Sequence, residues 1–158
     1  MHQGTIVFSS FIDYLLSNSR NNLKPVLRNS ALPDETAILI YVVDDDASVR
    51  KALTMLFISA GMEVQAFESA EDLLNRRLRE KKACVISDIK MNGIGGLELK
   101  QKFAERGVEI PVIFLTAFDS NKIRRQAKQA GAAGYFRKPV DDQALLDTIH
   151  WAISSCIS

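Results

Sequence analysis

The sequence contains few cysteines and no apolar run long enough to cross a membrane. Its only cysteines are Cys84 and Cys156, which is too few for a disulfide framework. Cys84 lies in an apolar stretch and is predicted to be a small buried side chain. This cysteine usage favours a reducing, cytoplasmic setting. No stretch approaches the roughly 20 apolar residues that a membrane-spanning helix needs.

The sequence also lacks an excess of charge of either sign. Twenty Lys and Arg residues stand against 19 Asp and Glu, for a formal net charge of +1. Bulk charge therefore indicates neither a nucleic-acid-binding protein nor a membrane-surface protein. Apolar residues make up 47% of the chain and charged residues 25%, which is typical of a globular protein. A chain of 158 residues suits one domain with a substantial hydrophobic core.

Residues 1–36 differ from the rest and are predicted to be a poorly structured or short-helical extension before a domain at 37–158. The apolar residues of this segment fall at helical spacing; they are Phe8, Phe11, Ile12, Leu15 and Leu16. Polar stretches, SNSRNN and NSALPDE, follow them. The segment has no cationic start, so it is not predicted to be a signal peptide. Two interpretations stay open: a start site upstream of the true domain, or a helix that docks a partner.

From Ile38 onward, strand patterns alternate with helix patterns. The predicted strands read ILIYVV, EVQAF, ACVIS, PVIFLT and GYFR, and each is followed by a helical pattern. Continuous apolar runs rich in β-branched residues are typical of strands covered on both faces. Strand followed by helix, five times over, predicts an α/β fold in which a doubly wound parallel sheet has helices on both faces.

Acidic residues follow two of these strands at the points where the strands end. The first strand runs directly into Asp44, Asp45 and Asp46. Neighbouring carboxylates about 4 Å apart repel by roughly 4 kcal/mol per pair at an effective dielectric near 20, so a cation is expected. A turn and a helix cap would account for one or two of the three, and Asp46 is predicted to be the cap. The third strand ends at Asp88.

Ligand sites in parallel sheets lie beyond the carboxyl ends of the strands. Asp44, Asp45 and Asp88 are therefore expected to meet Thr116 and Lys138, which end the fourth and fifth strands. Oxygen ligands of this kind suit a hard divalent ion, most often Mg²⁺. The lysine and threonine suit contacts to a phosphoryl group. An aspartate can accept that group as an acyl phosphate, and Asp88 is favoured because it ends a middle strand.

The motifs VVDDD, SDIKM, FLTA and GYFRKP, in this order and at these strand ends, resemble the receiver domain of two-component response regulators. The resemblance runs from about Ile38 to Ile157. It implies a flavodoxin-like (βα)5 fold with strand order 2-1-3-4-5, and phosphorylation of Asp88 to 4-aspartylphosphate. The donor would be a histidine kinase or a histidine phosphotransfer protein.

The same resemblance assigns roles to individual residues. Asp44 and Asp45 correspond to the acidic pair, with Asp45 as the direct Mg²⁺ ligand, and Lys90 would offer its backbone carbonyl. Thr116 and Tyr135 correspond to the switch pair, and Lys138 to the lysine that contacts the phosphoryl group. The Lys138-Pro139 bond is expected to be cis.

The expected function is that of a phospho-accepting receiver rather than an enzyme, although it would also lose its own phosphoryl group. Phosphorylation would switch the surface formed by the fourth helix, fifth strand and fifth helix, toward a downstream protein or a phosphorylation-dependent dimer. Neither direct DNA binding nor membrane contact is expected. The chain is expected to be a stand-alone receiver, or a truncated regulator without an output domain.

One departure from the family pattern lies beside Asp88. The family commonly has proline where this chain has Asn92, and glycines follow at positions 93, 95 and 96. Losing a proline frees a backbone angle and adds an N–H donor, and glycine loosens a loop further. A more mobile loop and faster loss of phosphate are predicted.

The main alternative is a haloacid-dehalogenase-like phosphatase. Asp44 to Ser48 also fits the D-x-D-x-S/T nucleophile loop of that family, with Asp44 as nucleophile and Asp46 as acid/base. The chain is short for that fold, shows no later acidic pair where the metal of such an enzyme would need it, and would leave Asp88 without a role. A second alternative is a binding module that keeps the receiver fold but signals without phosphate. A third is a flavin-binding protein of the same sheet order, but an aspartate triplet after the first strand would repel the phosphate of its cofactor.

Overall fold

A computed structural model describes residues 36–157 of the chain, apart from the side chain of Ile157. The predicted short helix with Phe8, Phe11, Ile12, Leu15 and Leu16 lies outside the described residues. Nothing therefore tests the predicted boundary between residues 36 and 37. Within the described range, no helix combines the length and hydropathy needed to cross a membrane.

Strands and helices alternate through the described range, as the sequence patterns predict. The strands are β1 (Leu39–Val43), β2 (Glu63–Phe67), β3 (Ala83–Asp88), β4 (Val112–Thr116) and β5 (Gly134–Arg137). The helices are α1 (Ala47–Ser59), α2 (Ala70–Leu74), α3 (Gly96–Arg106), α4 (Asn121–Gln129) and α5 (Asp142–Ile157). Strand β4 starts one residue after Pro111, whose missing N–H cannot donate to a neighbouring strand.

The five strands form one parallel sheet in the order β2-β1-β3-β4-β5, which confirms the predicted fold and strand order. Val43 at the end of β1 pairs with Ser87 on β3, and Asp88 pairs with Leu115 on β4. Thr116 pairs with Arg137, one residue before Lys138. The register therefore brings to a single edge of the sheet the polar residues that end β3 and β4 and those that follow β1 and β5.

The core lies on both faces of this sheet, because successive side chains of a strand point in opposite directions. Tyr41 and Val43 of β1 belong to the cluster formed with α2, α3 and α4, which includes Leu99 and Phe103. Ile40 and Val42 belong to the opposite cluster. Their partners there come from α1 and α5 and include Leu53, Leu56, Phe57, Leu145 and Ile149. All five residues of β1 are buried, as expected for a strand covered on both faces.

Side chains cap several of the described helices. The Asp46 carboxylate accepts from the N–H groups of Ser48 and Val49, and Ser69 Oγ accepts from Asp72. At α5, Asp141 accepts from the N–H of Ala144. These bonds satisfy N–H groups that have no partner inside the helix. The capping role predicted for Asp46 is confirmed.

The two cysteines are both free. Cys84 is fully buried in β3, as predicted, and its burial raises the pKa of the thiol. Cys156 is exposed near the end of α5.

Candidate functional site

Three aspartates meet at the carboxyl edge of the sheet. Single carboxylate oxygens of Asp44, Asp45 and Asp88 all lie within 4.8 Å of one another. They differ in exposure: Asp44 is 2% exposed, the Asp88 side chain is 12% exposed, and Asp45 is open to solvent. The grouping follows from the fold, because β1 and β3 are neighbours and end at the same level.

Lys138 connects two of these carboxylates. Its Nζ lies 2.8 Å from Oδ2 of Asp44 and 3.3 Å from Oδ2 of Asp88. The Lys138 N–H donates to the Thr116 carbonyl at 2.8 Å, which holds the residue beside β4. The following bond to Pro139 is cis, as predicted. Lys138 is thus placed to contact both Asp44 and Asp88.

The ionisation of Asp88 reflects this crowded environment. Burial raises its pKa, the positive charge of Lys138 opposes that shift, and the charge of Asp44 adds to it. For Lys138, burial alone would lower the pKa, but the hydrogen bond and charge of Asp44, together with the charge of Asp88, raise it. Lys138 therefore stays protonated, and its ammonium is in contact with two carboxylates of the three-aspartate cluster. A cation of higher charge would balance the remainder.

The donor set fits the ion that the sequence analysis expects. Asp44, Asp45 and Asp88 offer only carboxylate oxygens, the ligands that a hard divalent ion such as Mg²⁺ prefers. These three residues would hold the ion, and open solvent beside Asp45 leaves room for the waters that Mg²⁺ usually keeps. Nothing tests the role predicted for the Lys90 carbonyl. The N–H of Lys90 donates to Oδ1 of Asp88 at 3.3 Å.

The two predicted switch residues lie on neighbouring strands. Thr116 is fully buried at the end of β4, and its Oγ1 accepts from the N–H of Phe118 at 3.0 Å. Tyr135 lies on β5 and pairs with Phe114, two residues before Thr116. Its hydroxyl donates to Oδ1 of Asp119 at 2.9 Å, so it is held by the loop that follows β4.

Several contacts around this edge were missed by sequence reasoning. Asp119 forms an ion pair with Arg124 as well as its bond to Tyr135. Lys90 Nζ lies 4.7 Å from the ring centroid of Phe118, which is 62% exposed. Glu71 of α2 accepts from the N–H of Ile94. These contacts join loops to one another or to helices and strands, and no spacing along the chain indicates them.

The geometry disfavours the phosphatase alternative. The proposed acid/base of that mechanism, Asp46, has its carboxylate engaged in capping α1. The proposed nucleophile, Asp44, is almost fully buried; its Oδ1 accepts from the Asp46 N–H and its Oδ2 faces Lys138. Asp88 is the more accessible of the two carboxylates.

A family model, "Response regulator receiver domain", matches residues 40–150. One curated relative is the transcriptional regulatory protein TdiR of Thauera aromatica, 40% identical over 118 residues that make up 75% of this chain and 52% of TdiR. Another is nodulation protein W of Bradyrhizobium diazoefficiens, 36% identical over 72% of this chain and 50% of the relative. The chain thus spans about half the length of these curated relatives.

Solved structures show the same similarity. The response regulator StyR aligns with a TM-score of 0.69 at 37% identity, over 75% of this chain and 60% of the StyR chain.

Proposed function

The chain belongs to the response regulator receiver domain family, and on this premise we propose that Asp88 accepts a phosphoryl group from a phosphohistidine. The donor would be a histidine kinase or a histidine phosphotransfer protein of a two-component system. An Asp88 oxygen attacks phosphorus, a P–O bond forms, and the P–N bond breaks with its electron pair passing to the imidazole. The product is 4-aspartylphosphate.

The observation that carries this proposal is the grouping of Asp88 with Asp44, Asp45 and Lys138 within contact distance. Phosphoryl transfer depends mainly on positioning and on balancing charge at the phosphoryl oxygens. Mg²⁺, when bound by the three aspartates, supplies charge neutralisation at those oxygens. Lys138 supplies a second positive charge next to Asp88, and Thr116 a hydroxyl at the end of the adjacent strand.

The signal would then spread through the switch pair. In the proposal, the Thr116 hydroxyl turns toward the new phosphoryl oxygens, and Tyr135 moves inward from Asp119. The surface of α4, β5 and α5 changes shape as a result. This is a population shift, biased by contacts that the phosphoryl group makes better in one state.

What receives the signal is a further proposal. TdiR and nodulation protein W are about twice as long as their matched regions, and TdiR is named a transcriptional regulatory protein. The expectation that no output domain accompanies this receiver is therefore not confirmed. A downstream protein remains the proposed partner of the described domain, and the cytoplasmic setting stays a prediction.

Incubation with acetyl phosphate and Mg²⁺, followed by intact mass spectrometry, tests the proposal. The wild-type protein should gain the mass of one phosphoryl group, and chelation of Mg²⁺ should abolish the gain. Asp88→Asn should gain nothing. Asp44→Asn should still be phosphorylated, more slowly. Phosphorylation of Asp88→Asn combined with none of Asp44→Asn would instead favour the phosphatase alternative.

A further inference from the structure

The loop between β3 and α3 contacts the acidic site through a donor that a proline could not supply. The N–H of Asn92 donates to Oδ2 of Asp45, with 3.4 Å between nitrogen and oxygen. Asp45 is exposed, and the described contacts give its side chain this one hydrogen bond. The orientation of the proposed Mg²⁺ ligand therefore depends on where residue 92 lies.

The same loop is held from its other side by α2. Oε1 of Glu71 accepts from the N–H of Ile94 at 3.2 Å. Between the two bonded residues lies Gly93, with a φ of +79°, a conformation that glycine adopts at no steric cost. A Cβ at Gly93 would lie 2.5 Å from Oε2 of Glu71. The Glu71 carboxylate thus packs directly against the loop backbone.

These contacts form a continuous connection from α2 to the acidic site. Glu71 fixes Ile94, Gly93 makes the turn, and Asn92 reaches Asp45. The far end of the loop is closed by the Gly96 N–H, which donates to the Ile89 carbonyl at 2.9 Å. Among the described hydrogen bonds, the Glu71 carboxylate is the one acceptor from outside the loop that binds an N–H on the Ile94 side of Gly93. The side chains of Met91 and Ile94 also pack against the core cluster.

We propose that Glu71 is a positioning residue for the acidic site: by binding the Ile94 N–H, it keeps the Asn92 N–H on Asp45 and so orients that carboxylate for Mg²⁺. The inference rests on the proposed function, because it assigns Asp45 to a metal site. It goes beyond that function in giving α2 a part in metal affinity. Loss of the Glu71 contact would let the loop move away and Asp45 turn freely.

The test measures Mg²⁺ binding by calorimetry without any phosphoryl donor. Glu71→Ala should weaken Mg²⁺ binding about three- to tenfold, the range expected for the net contribution of one hydrogen bond. Glu71→Gln keeps an oxygen acceptor for the Ile94 N–H but removes the negative charge. It should bind Mg²⁺ within about twofold of wild type. Asp72→Ala, which removes a neighbouring carboxylate of α2, is the matched control and should also stay near wild type.

Two variants of Asn92 test the other end of the same connection, where the loop contacts Asp45. Asn92→Pro deletes the N–H that reaches Asp45 and should weaken Mg²⁺ binding, whereas Asn92→Ala keeps the N–H and should not. In the metal-free protein, Glu71→Ala should shift the NMR amide resonances of both Asn92 and Ile94, and Glu71→Gln should shift them less.

The outcomes separate the two proposals. Equal weakening by Glu71→Ala and Glu71→Gln would show that charge, not position, matters, and would overturn the inference. Wild-type affinity in Glu71→Ala would also overturn it, whatever the result for Asn92→Pro, while leaving the proposed function intact. Absence of Mg²⁺ binding by the wild-type protein would overturn the proposed function and this inference together.

Discussion

The hydroxyl of Tyr135 donates a hydrogen bond to Oδ1 of Asp119, with 2.9 Å between the oxygens. Arg124 binds the same carboxylate through Nε, at 2.8 Å from Oδ1, and through a terminal nitrogen on Oδ2. The hydrogen bonds from Arg124 and Tyr135 lower the pKa of Asp119. Burial raises the pKa of Tyr135, and its bond to Asp119 adds to this. An ionised carboxylate, held by an arginine, thus retains the proposed switch residue in its present position.

Removal of this carboxylate should therefore release Tyr135. We expect Asp119→Ala to raise the fraction of Tyr135 in the inward rotamer without phosphate, because the hydrogen bond to Asp119 no longer opposes the movement. Ring resonances of Tyr135 in NMR spectra of the metal-free protein report this fraction.

Arg124→Ala serves as the matched control, since it removes the ion pair but leaves the Asp119 acceptor in place. Its effect should be smaller than that of Asp119→Ala. If Tyr135 gives wild-type resonances in both variants, Asp119 does not hold the switch residue.

The raised pKa of Asp88 predicts a pH-dependent gain in stability for Asp88→Asn. In the folded protein burial raises this pKa above its unfolded value, so the ionised group destabilises the metal-free fold. The destabilisation is complete at a pH above the pKa that Asp88 has in the folded protein. It disappears as the pH falls through that pKa toward the unfolded value near 4. Without Mg²⁺ at pH 7, Asp88→Asn should melt at a higher temperature than wild type.

Mg²⁺ should reverse this order. At one hundred times its Kd, a ligand stabilises the folded state by about 2.7 kcal/mol, and Asp88→Asn lacks one of the proposed ligands. Thermal melts from pH 4 to pH 8, with and without Mg²⁺, measure both effects. An advantage of Asp88→Asn that grows toward low pH would contradict the assignment.

Loss of the Lys138 charge should destabilise the metal-free protein. Lys138→Met keeps an apolar stem of similar length but leaves Asp44, only 2% exposed, without its ammonium partner. We expect a loss of about 1–3 kcal/mol in the free energy of unfolding, because an unpaired buried charge is costly. Urea denaturation gives the value.

The double variant is the control for this interpretation. In an Asp44→Asn background, Lys138→Met should cost less, since the two side chains are in contact and their effects are coupled. An equal loss in both backgrounds would mean that Lys138 acts through some other contact.

Asn92→Pro should lengthen the lifetime of the acyl phosphate. Proline fixes one backbone angle and reduces the freedom of the loop beside Asp88. The lifetime should be measured by intact mass at saturating Mg²⁺, so that a weaker Mg²⁺ affinity of the proline variant does not affect the comparison. Asn92→Ala provides the comparison, and a proline variant that loses phosphate as fast as the alanine variant would count against the prediction.

The secondary structure and the acidic edge could be predicted from the sequence for a local reason. Apolar runs of β-branched residues mark the strands, and helical spacing marks the helices. Because the ends of parallel strands share one edge, Asp44, Asp88 and Lys138 could be brought together before any distance was known. The structure places Lys138 Nζ within 3.3 Å of both carboxylates.

Contacts that the loops make could not be predicted in this way. The pairs Asp119–Tyr135, Glu71–Ile94 and Asp45–Asn92 are separated by 16, 23 and 47 residues, and no periodic pattern relates them. Each depends on where a loop lies relative to the element that it contacts and on the rotamer of one carboxylate. The prediction of a more mobile loop at Asn92 likewise did not include the hydrogen bonds that the loop donates to Asp45 and Glu71.

The sequence alone thus determined which chemical groups line the edge of the sheet, because strand patterns and residue types are local properties. Tertiary packing decided the surroundings of each group. It buried Asp44 and left Asp45 open to solvent, although the two are adjacent in the chain, and it gave Tyr135 an anionic partner. Burial and partners arise only when distant segments meet, and they control the ionisation and orientation of every side chain at this site.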